Sequence, residues 1–210
     1  LKLHQKILGL ERRLLNSMIL EVIKTKALAD KIPIIKDDAL AEIIKILQEI
    51  KPKNMLEIGS AVGYSAICFA PYVLNKIDTI EIDEKRAKTA ISNIKKAGLT
   101  NKINLIMGDA LEVLPNLKEK YDVVFIDASK SKYPMFLEHA LAITTENATI
   151  IADNVLYFGY VLGDYNKHKQ RSAVTNLRKF LNMVNSNPKL KINILEVGDG
   201  LAVISKEDTK

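Results

Sequence analysis

Met55-Leu56-Glu57-Ile58-Gly59-Ser60-Ala61-Val62-Gly63-Tyr64-Ser65 is the stretch on which the reading of this chain turns. Its first four residues make an apolar run with one carboxylate, long enough for a short buried strand. Gly59 to Gly63 are small residues suited to a tight turn, and Tyr64-Ser65 opens a helix through Ala66-Ile67-Cys68-Phe69. Glycine lets the backbone approach a ligand closely, and a helix N-terminus offers unpaired N–H groups to an anion. The dinucleotide fingerprint needs Gly-x-Gly-x-x-Gly. Here the spacing is Gly59-x-x-x-Gly63, with Glu57 two positions before the first glycine. Taken alone, such a loop also suits a purely structural strand–helix turn.

Working outward, short apolar runs alternate with helical patterns. Strands are expected at Met55–Ile58, Ile77–Ile82, Ile103–Met107, Asp122–Ile126 and Ala148–Ala152, with helices at 63–75, 84–97, 110–117 and 131–143. Strands apolar on both faces and separated by helices predict a parallel sheet covered on each side. After a helix at about 170–186, Leu190–Val197 and Gly200–Ser205 are separated by Gly198 and Asp199 alone, which predicts an antiparallel hairpin. The expected fold is therefore α/β: a doubly wound, mostly parallel, seven-stranded Rossmann-like sheet with a C-terminal antiparallel hairpin. Ahead of it, residues 3–29 carry Ile7, Leu8, Leu14, Leu15, Met18, Ile19, Val22 and Ile23 on one helical stripe. Asp37 or Asp38 is placed to cap a second helix with the face Leu40, Ile43, Ile44, Leu47 and Ile50, which Pro52 ends. Residues 1–210 read as one domain, with a helical extension over 1–50 and a cofactor-binding core over 51–210.

Composition excludes little but bounds the rest. Hydrophobic residues make up 48% and charged residues 27%, which suits a globular domain rather than a disordered chain. One cysteine, Cys68, cannot form an internal disulfide and lies in an apolar helical stretch, where it reads as a core residue. No apolar run is long enough for a membrane span, and Glu11, Arg12 and Arg13 interrupt any signal-peptide core, so a cytoplasmic location is expected. The net charge of +6 permits an anionic partner but does not require one.

Four more strand ends carry chemistry. Glu81 closes the second strand, where a carboxylate can accept both hydroxyls of a ribose; Asp83 is the alternative. Asp109 and Ala110 follow the third strand and can read an adenine edge, though an Asp there also suits a helix cap. Asp127 ends the fourth strand, and Asp153 with Asn154 the fifth. Two carboxylates and an amide oxygen on one sheet edge suit Mg²⁺, although loop capping explains the same residues equally well from spacing alone. No His or Cys cluster points to zinc, and His139 and His168 read as surface or packing residues.

With Phe125-Ile126-Asp127-Ala128-Ser129-Lys130 and Asp153-Asn154-Val155-Leu156 added, the chain resembles the Mg²⁺-dependent O-methyltransferases of the catechol and caffeoyl-CoA type, from about residue 32 to the end. The parallel sheet closed by a hairpin resembles the class I methyltransferase architecture, and Gly-x-x-x-Gly resembles S-adenosylmethionine sites, which have no pyrophosphate to cradle. The resemblance implies S-adenosylmethionine held by Ile34, Glu57, Gly59, Ser60, Gly63, Tyr64, Ser65, Glu81, Asp109, Ala110 and Asp127. It implies Mg²⁺ on Asp127, Asp153 and Asn154, and Lys130 near the acceptor hydroxyl, with Lys132 close enough to compete for that role. It also implies a homodimer, for which the N-terminal stripe is one expected surface; packing of that stripe onto the sheet's own helices is the equal alternative. Within the family, Asp153-Asn154-Val155-Leu156-Tyr157 followed by Gly163-Asp164-Tyr165 is similar to the bacterial branch that methylates 5-hydroxyuridine in the anticodon loop of tRNA. The basic run Tyr165-Asn166-Lys167-His168-Lys169-Gln170-Arg171, with Arg178 and Lys179 beyond it, is the expected grip on phosphates. A small catechol-like phenol is the alternative acceptor, and a non-catalytic protein that binds RNA or a partner on the same fold is the third reading, against which the metal trio and Lys130 argue.

Overall fold

Seven strands lie in the order β3-β2-β1-β4-β5-β7-β6. The structure is a computed structural model and describes residues 17–163 and 170–206. The strands are β1 (Asn54–Ile58), β2 (Lys76–Glu81), β3 (Ile103–Met107), β4 (Tyr121–Ile126), β5 (Thr144–Ala152), β6 (Leu190–Leu195) and β7 (Leu201–Lys206). The first five pair in parallel, and β7 runs antiparallel to both β5 and β6. The α/β reading with a closing hairpin holds. The hairpin connection is longer than expected, however: β6 stops at Leu195, and residues 196–200 make the turn. Gly198 there donates its N–H to Asp38 Oδ2 at 2.8 Å, which draws the turn away from the strands.

Alternation along each central strand sorts side chains into two cores. Met55, Val123, Phe125 and Ile151 face one side, where they meet the first helix α1 (17–29), α2 (Asp37–Ile50), α3 (Tyr64–Phe69) and α4 (Glu84–Lys96). Leu56, Ile58, Val124, Ile126, Ile150 and Ala152 face the other, under α5 (Ala110–Val113), α6 (Tyr133–Ile143) and α7 (Arg171–Asn185). Successive side chains on a strand point to opposite faces, so a strand buried on both must be apolar throughout. Cys68 lies in the first core, and burial pushes its thiol up to about 12, as befits a packing residue.

Two expectations about the helical extension need correction. Neither Asp37 nor Asp38 caps α2: Lys36 occupies the cap position with no side-chain bond, and both aspartates lie inside the first turn. The Asp38 carboxylate is taken instead by Gly198 N–H and by Ala39 N–H, the latter at 2.9 Å. The stripe also divides. Ile23 and Ala27 are buried against the sheet's helices, whereas Met18 and Val22 are each 67% exposed. The stripe residues Ile7, Leu8, Leu14 and Leu15 lie outside the described residues.

Candidate active site

Strand order reverses between β1 and β4, and in open α/β sheets ligands bind outside the strand ends at such a point. The strand ends there are stitched together. Gly59 and Ser60 both donate N–H to Ile80 O at 3.0 Å, Asp127 N–H to Ile58 O at 2.9 Å, and Asp153 N–H to Ile126 O at 3.0 Å. Each loop thus leaves its strand at a height fixed by its neighbour. Gly59 has φ 103°, and a Cβ on it would lie 2.1 Å from the Asp127 carbonyl oxygen, so only glycine allows the two loops to cross. Gly63 (φ 80°) precedes α3, and its bare Cα faces Ala90 of α4.

A cleft of about 640 Å³ opens over these ends. Ile34, Gly59, Ser60, Tyr64, Ser65, Glu81, Asp109, Ala110, Asp127, Lys130 and Asn154 line it, with Pro33 and Lys132. Glu57, Gly63 and Asp153 do not. A larger groove, about 1260 Å³ between α1 and α4, is lined by one expected site residue alone, the alternative carboxylate Asp83. We therefore assign the site to the smaller cleft, where the chemistry gathers.

At one end, the Glu81 carboxylate accepts Ala61 N–H at 2.7 Å and Asp83 N–H at 2.9 Å. Asp83 caps α4 through Arg86 N–H at 2.8 Å, which separates the two candidate carboxylates by role. Asp109 caps α5 through Leu111 N–H at 3.0 Å and pairs with Lys132 at 2.8 Å. The Lys132 ammonium and that N–H hold the Asp109 carboxyl below its usual range. Ser60 is 1% exposed, and its hydroxyl is a buried polar atom without a hydrogen-bond partner. Buried hydroxyls are normally paired, so one facing a cleft marks a place for a ligand's polar group.

Glu57 sits behind the loop, fully buried, accepting the Ser65 and Thr79 hydroxyls at 2.5 Å each. Burial lifts its carboxyl to about 7 against those bonds. In this structure it braces the loop from below, and Ser65 spends its hydroxyl on that brace.

At the other end, Lys130 Nζ lies 3.0 Å from Asp127 Oδ1 and 2.9 Å from the Tyr133 hydroxyl. The 3-10 turn Lys130–Lys132 therefore sends its two lysines apart: Lys130 toward Asp127, Lys132 toward Asp109. Burial opposes the Lys130 charge, but Tyr133 and Asp127 outweigh it and hold the ammonium above the ordinary lysine range. Asp153 is 2% exposed and accepts Asn154 N–H at 2.7 Å. Burial, then repulsion from Asp127, raises its carboxyl to about 6. Two carboxylates that resist shared ionisation, with the Asn154 amide beside them, fit a hard divalent cation. Among the described residues no cluster of three or more His, Cys, Asp or Glu side chains stands ready for a metal, so such a site would need that amide.

Sequence reasoning missed three contributors. Ile82, counted there as the last strand residue, lies beyond β2, lines the cleft and is 62% exposed, an apolar plate beside Glu81. Tyr133 is fully buried, and its hydroxyl lies 3.1 Å from Ile126 O and 2.8 Å from Asp153 O, bridging two strand ends beneath Lys130. Tyr157 also lines the cleft. One expectation is overturned. Arg178 is not free to hold phosphate: its guanidinium donates to Val161 O at 3.0 Å, Tyr160 O at 3.2 Å and Gly163 O. Residues 165–169 of the basic run lie outside the described residues, while Arg171 and Lys179 are exposed.

A doubly wound sheet with this hairpin and cleft is that of a class I methyltransferase. The O-methyltransferase family model matches residues 40–207. A catechol O-methyltransferase of Niastella koreensis is 35% identical over 75% of this chain and 75% of its own length. A flavonoid 3',5'-methyltransferase of Vitis vinifera is 31% identical over 77% and 73%. The solved O-methyltransferase of Bacillus cereus, crystallised with SAH, superposes with TM-score 0.83 at 28% identity, covering 90% of this chain and 91% of that one. The chain belongs to the O-methyltransferase family.

Proposed function

We propose that this protein transfers the methyl group of S-adenosylmethionine to a hydroxyl that has a second oxygen on the neighbouring carbon, and that the acceptor is the 5-hydroxyuridine of a tRNA anticodon loop. The observation that carries the reading is one continuous cleft with two chemistries: Glu81, Asp109 and the orphaned Ser60 hydroxyl at one end, Asp127, Asn154 and Lys130 at the other. The first set suits ribose hydroxyls, an adenine edge and an amino-acid head group. Ile82 offers the adenine an apolar face.

Asp127, Asp153 and Asn154 are the residues that would hold Mg²⁺, which would supply Lewis-acid stabilisation of the ionised acceptor hydroxyl. The residues of the chain do the remaining work. Tyr133 and Asp127 fix the Lys130 ammonium, which stabilises the developing oxyanion electrostatically and, staying charged, leaves the hydroxyl proton to water. The methyl then passes in line from sulfonium to oxygen, and the sulfonium becomes a neutral thioether. Alignment of the reacting atoms is the main contribution of such a site.

In 5-hydroxyuridine the 5-hydroxyl and 4-carbonyl supply the two oxygens, and turning a base out of a single-stranded loop costs little compared with a duplex. The net charge of +6 permits an RNA partner, and the similarity of Asp153-Asn154-Val155-Leu156-Tyr157 to the tRNA-modifying branch favours this acceptor. A catechol-like phenol is the second reading, favoured by the 35% identical catechol enzyme. Purified protein, S-adenosylmethionine and Mg²⁺ should convert 5-hydroxyuridine to 5-methoxyuridine in tRNA lacking the methyl group, read by nucleoside mass spectrometry. Methylation of free catechol with none of the tRNA decides for the phenol. The exposed Met18 and Val22 of α1 also support a homodimer, which light scattering at micromolar concentration tests.

A further inference from the structure

Beyond β5 the backbone takes a course that side chains disfavour. Asn154, Tyr157 and Phe158 have φ of 56°, 45° and 58°, followed by Gly159 at 76°. Bulky residues in the left-handed region are strained, and such strain persists only where the surroundings enforce it, often beside ligands. Here it is enforced twice. Val155 and Leu156 donate N–H to Gly200 O and Asp199 O at 2.9 Å, and Arg178 gathers the carbonyls of Tyr160, Val161 and Gly163. The segment so fixed holds three aromatic rings together, Phe158 with its centroid 5.4 Å from Tyr157 and 5.9 Å from Tyr160. Tyr157 lines the cleft, while Phe158 does not line it but packs its ring against that of Tyr157 and is 63% exposed. An exposed phenylalanine is ordinary; one held rigid in a strained backbone beside an active site serves a ligand.

We propose that Phe158 is a stacking plate for the nucleobase that neighbours the acceptor base in single-stranded RNA. The proposal rests on the RNA reading above. An acceptor of one ring occupies the cleft and leaves Phe158 uncovered, whereas an acceptor with an adjoining base presents a second flat face outside it. Stacking on an aromatic ring tolerates any base, so the plate holds the strand without selecting its sequence.

The test compares an anticodon stem-loop containing 5-hydroxyuridine with the free 5-hydroxyuridine nucleoside. For Phe158→Ala, the ratio of kcat/KM on stem-loop to kcat/KM on nucleoside should fall roughly five- to hundredfold, the range of one lost base–aromatic stack, and Phe158→Trp should restore it. 2-Aminopurine placed beside the acceptor should be quenched on binding to the wild type and less so with Phe158→Ala. An unchanged ratio with unchanged quenching overturns the stacking role, as does an equal loss on both substrates. Wild-type protein that methylates neither form of 5-hydroxyuridine removes the RNA reading itself. Phe158→Ala losing activity on an extended phenol in that case assigns the plate to a small-molecule ring and overturns the nucleobase.

Discussion

The Cα of Gly59 and the carbonyl oxygen of Asp127 pass so close that a single added methyl group would overlap that oxygen, at 2.1 Å. The contact joins the loop after β1 to the loop after β4, the cofactor end of the cleft to its acceptor end. Gly59→Ala must therefore either shift Asp127 or push the loop from Ile80, and its φ of 103° is unfavourable for alanine besides. We expect a loss of roughly 2–5 kcal/mol in stability. Chemical denaturation finding the variant as stable as the wild type would show that the crossing is not tight.

Asp127→Ala should stop turnover, by about 100-fold or more, while cofactor affinity stays within a few-fold. The carboxylate anchors Lys130 and belongs to the acceptor end, away from Glu81 and Asp109. Single-turnover assays beside cofactor titrations separate the two effects. Near-normal turnover in chelator-treated buffer would remove Asp127 from the metal assignment.

Glu81→Ala is expected to act in the opposite sense. It removes a carboxylate held by Ala61 and Asp83 N–H groups at the ribose position, and should weaken S-adenosylmethionine binding by about 1.5–3 kcal/mol. Calorimetry reporting unchanged affinity places the ribose elsewhere.

Glu57 makes stability depend on pH. Its carboxyl rises from 4.5 to about 7 on folding, chiefly through burial. Between those values the folded protein binds more protons than the unfolded chain, so this contribution declines as pH climbs from 4.5 to about 7 and is constant above. The whole effect is on the order of 3 kcal/mol. Glu57→Gln, neutral throughout, should melt above the wild type at pH 8 and converge with it near pH 4.5. Parallel melting curves across that range would mean that Glu57 folds in as a carboxylate.

Much of this site was readable before any coordinates, because short apolar runs mark the central strands and three of them lead to a carboxylate: Glu81 ends β2, Asp127 follows β4 and Asp153 follows β5. What stayed hidden depends on distant partners. Glu57 reads as a cofactor residue by resemblance until Thr79, 22 positions away, is seen to donate its hydroxyl to that carboxylate. Asp38 reads as a helix cap because its other partner, Gly198, is 160 residues further along. Lys130 and Lys132 are equivalent by spacing, and only the 3-10 turn divides them between Asp127 and Asp109. Arg178 has the pattern of a phosphate ligand, yet the carbonyls that occupy it belong to a segment whose course the sequence does not disclose.

The placement of β7 between β5 and β6 bears on how the chain emerges from the ribosome. β6 is synthesised first but has no strand to pair with until β7 follows, since of the two only β7 pairs with β5. A nascent chain extended only to residue 195 leaves the β5 edge bare, an invitation to pair with other chains. The Gly200 and Asp199 carbonyls that fix residues 155 and 156 arrive with that last turn. Insertion of β7 thus completes both the sheet and the anchorage of residues 155 and 156, and a chain that stops before residue 199 lacks the two together.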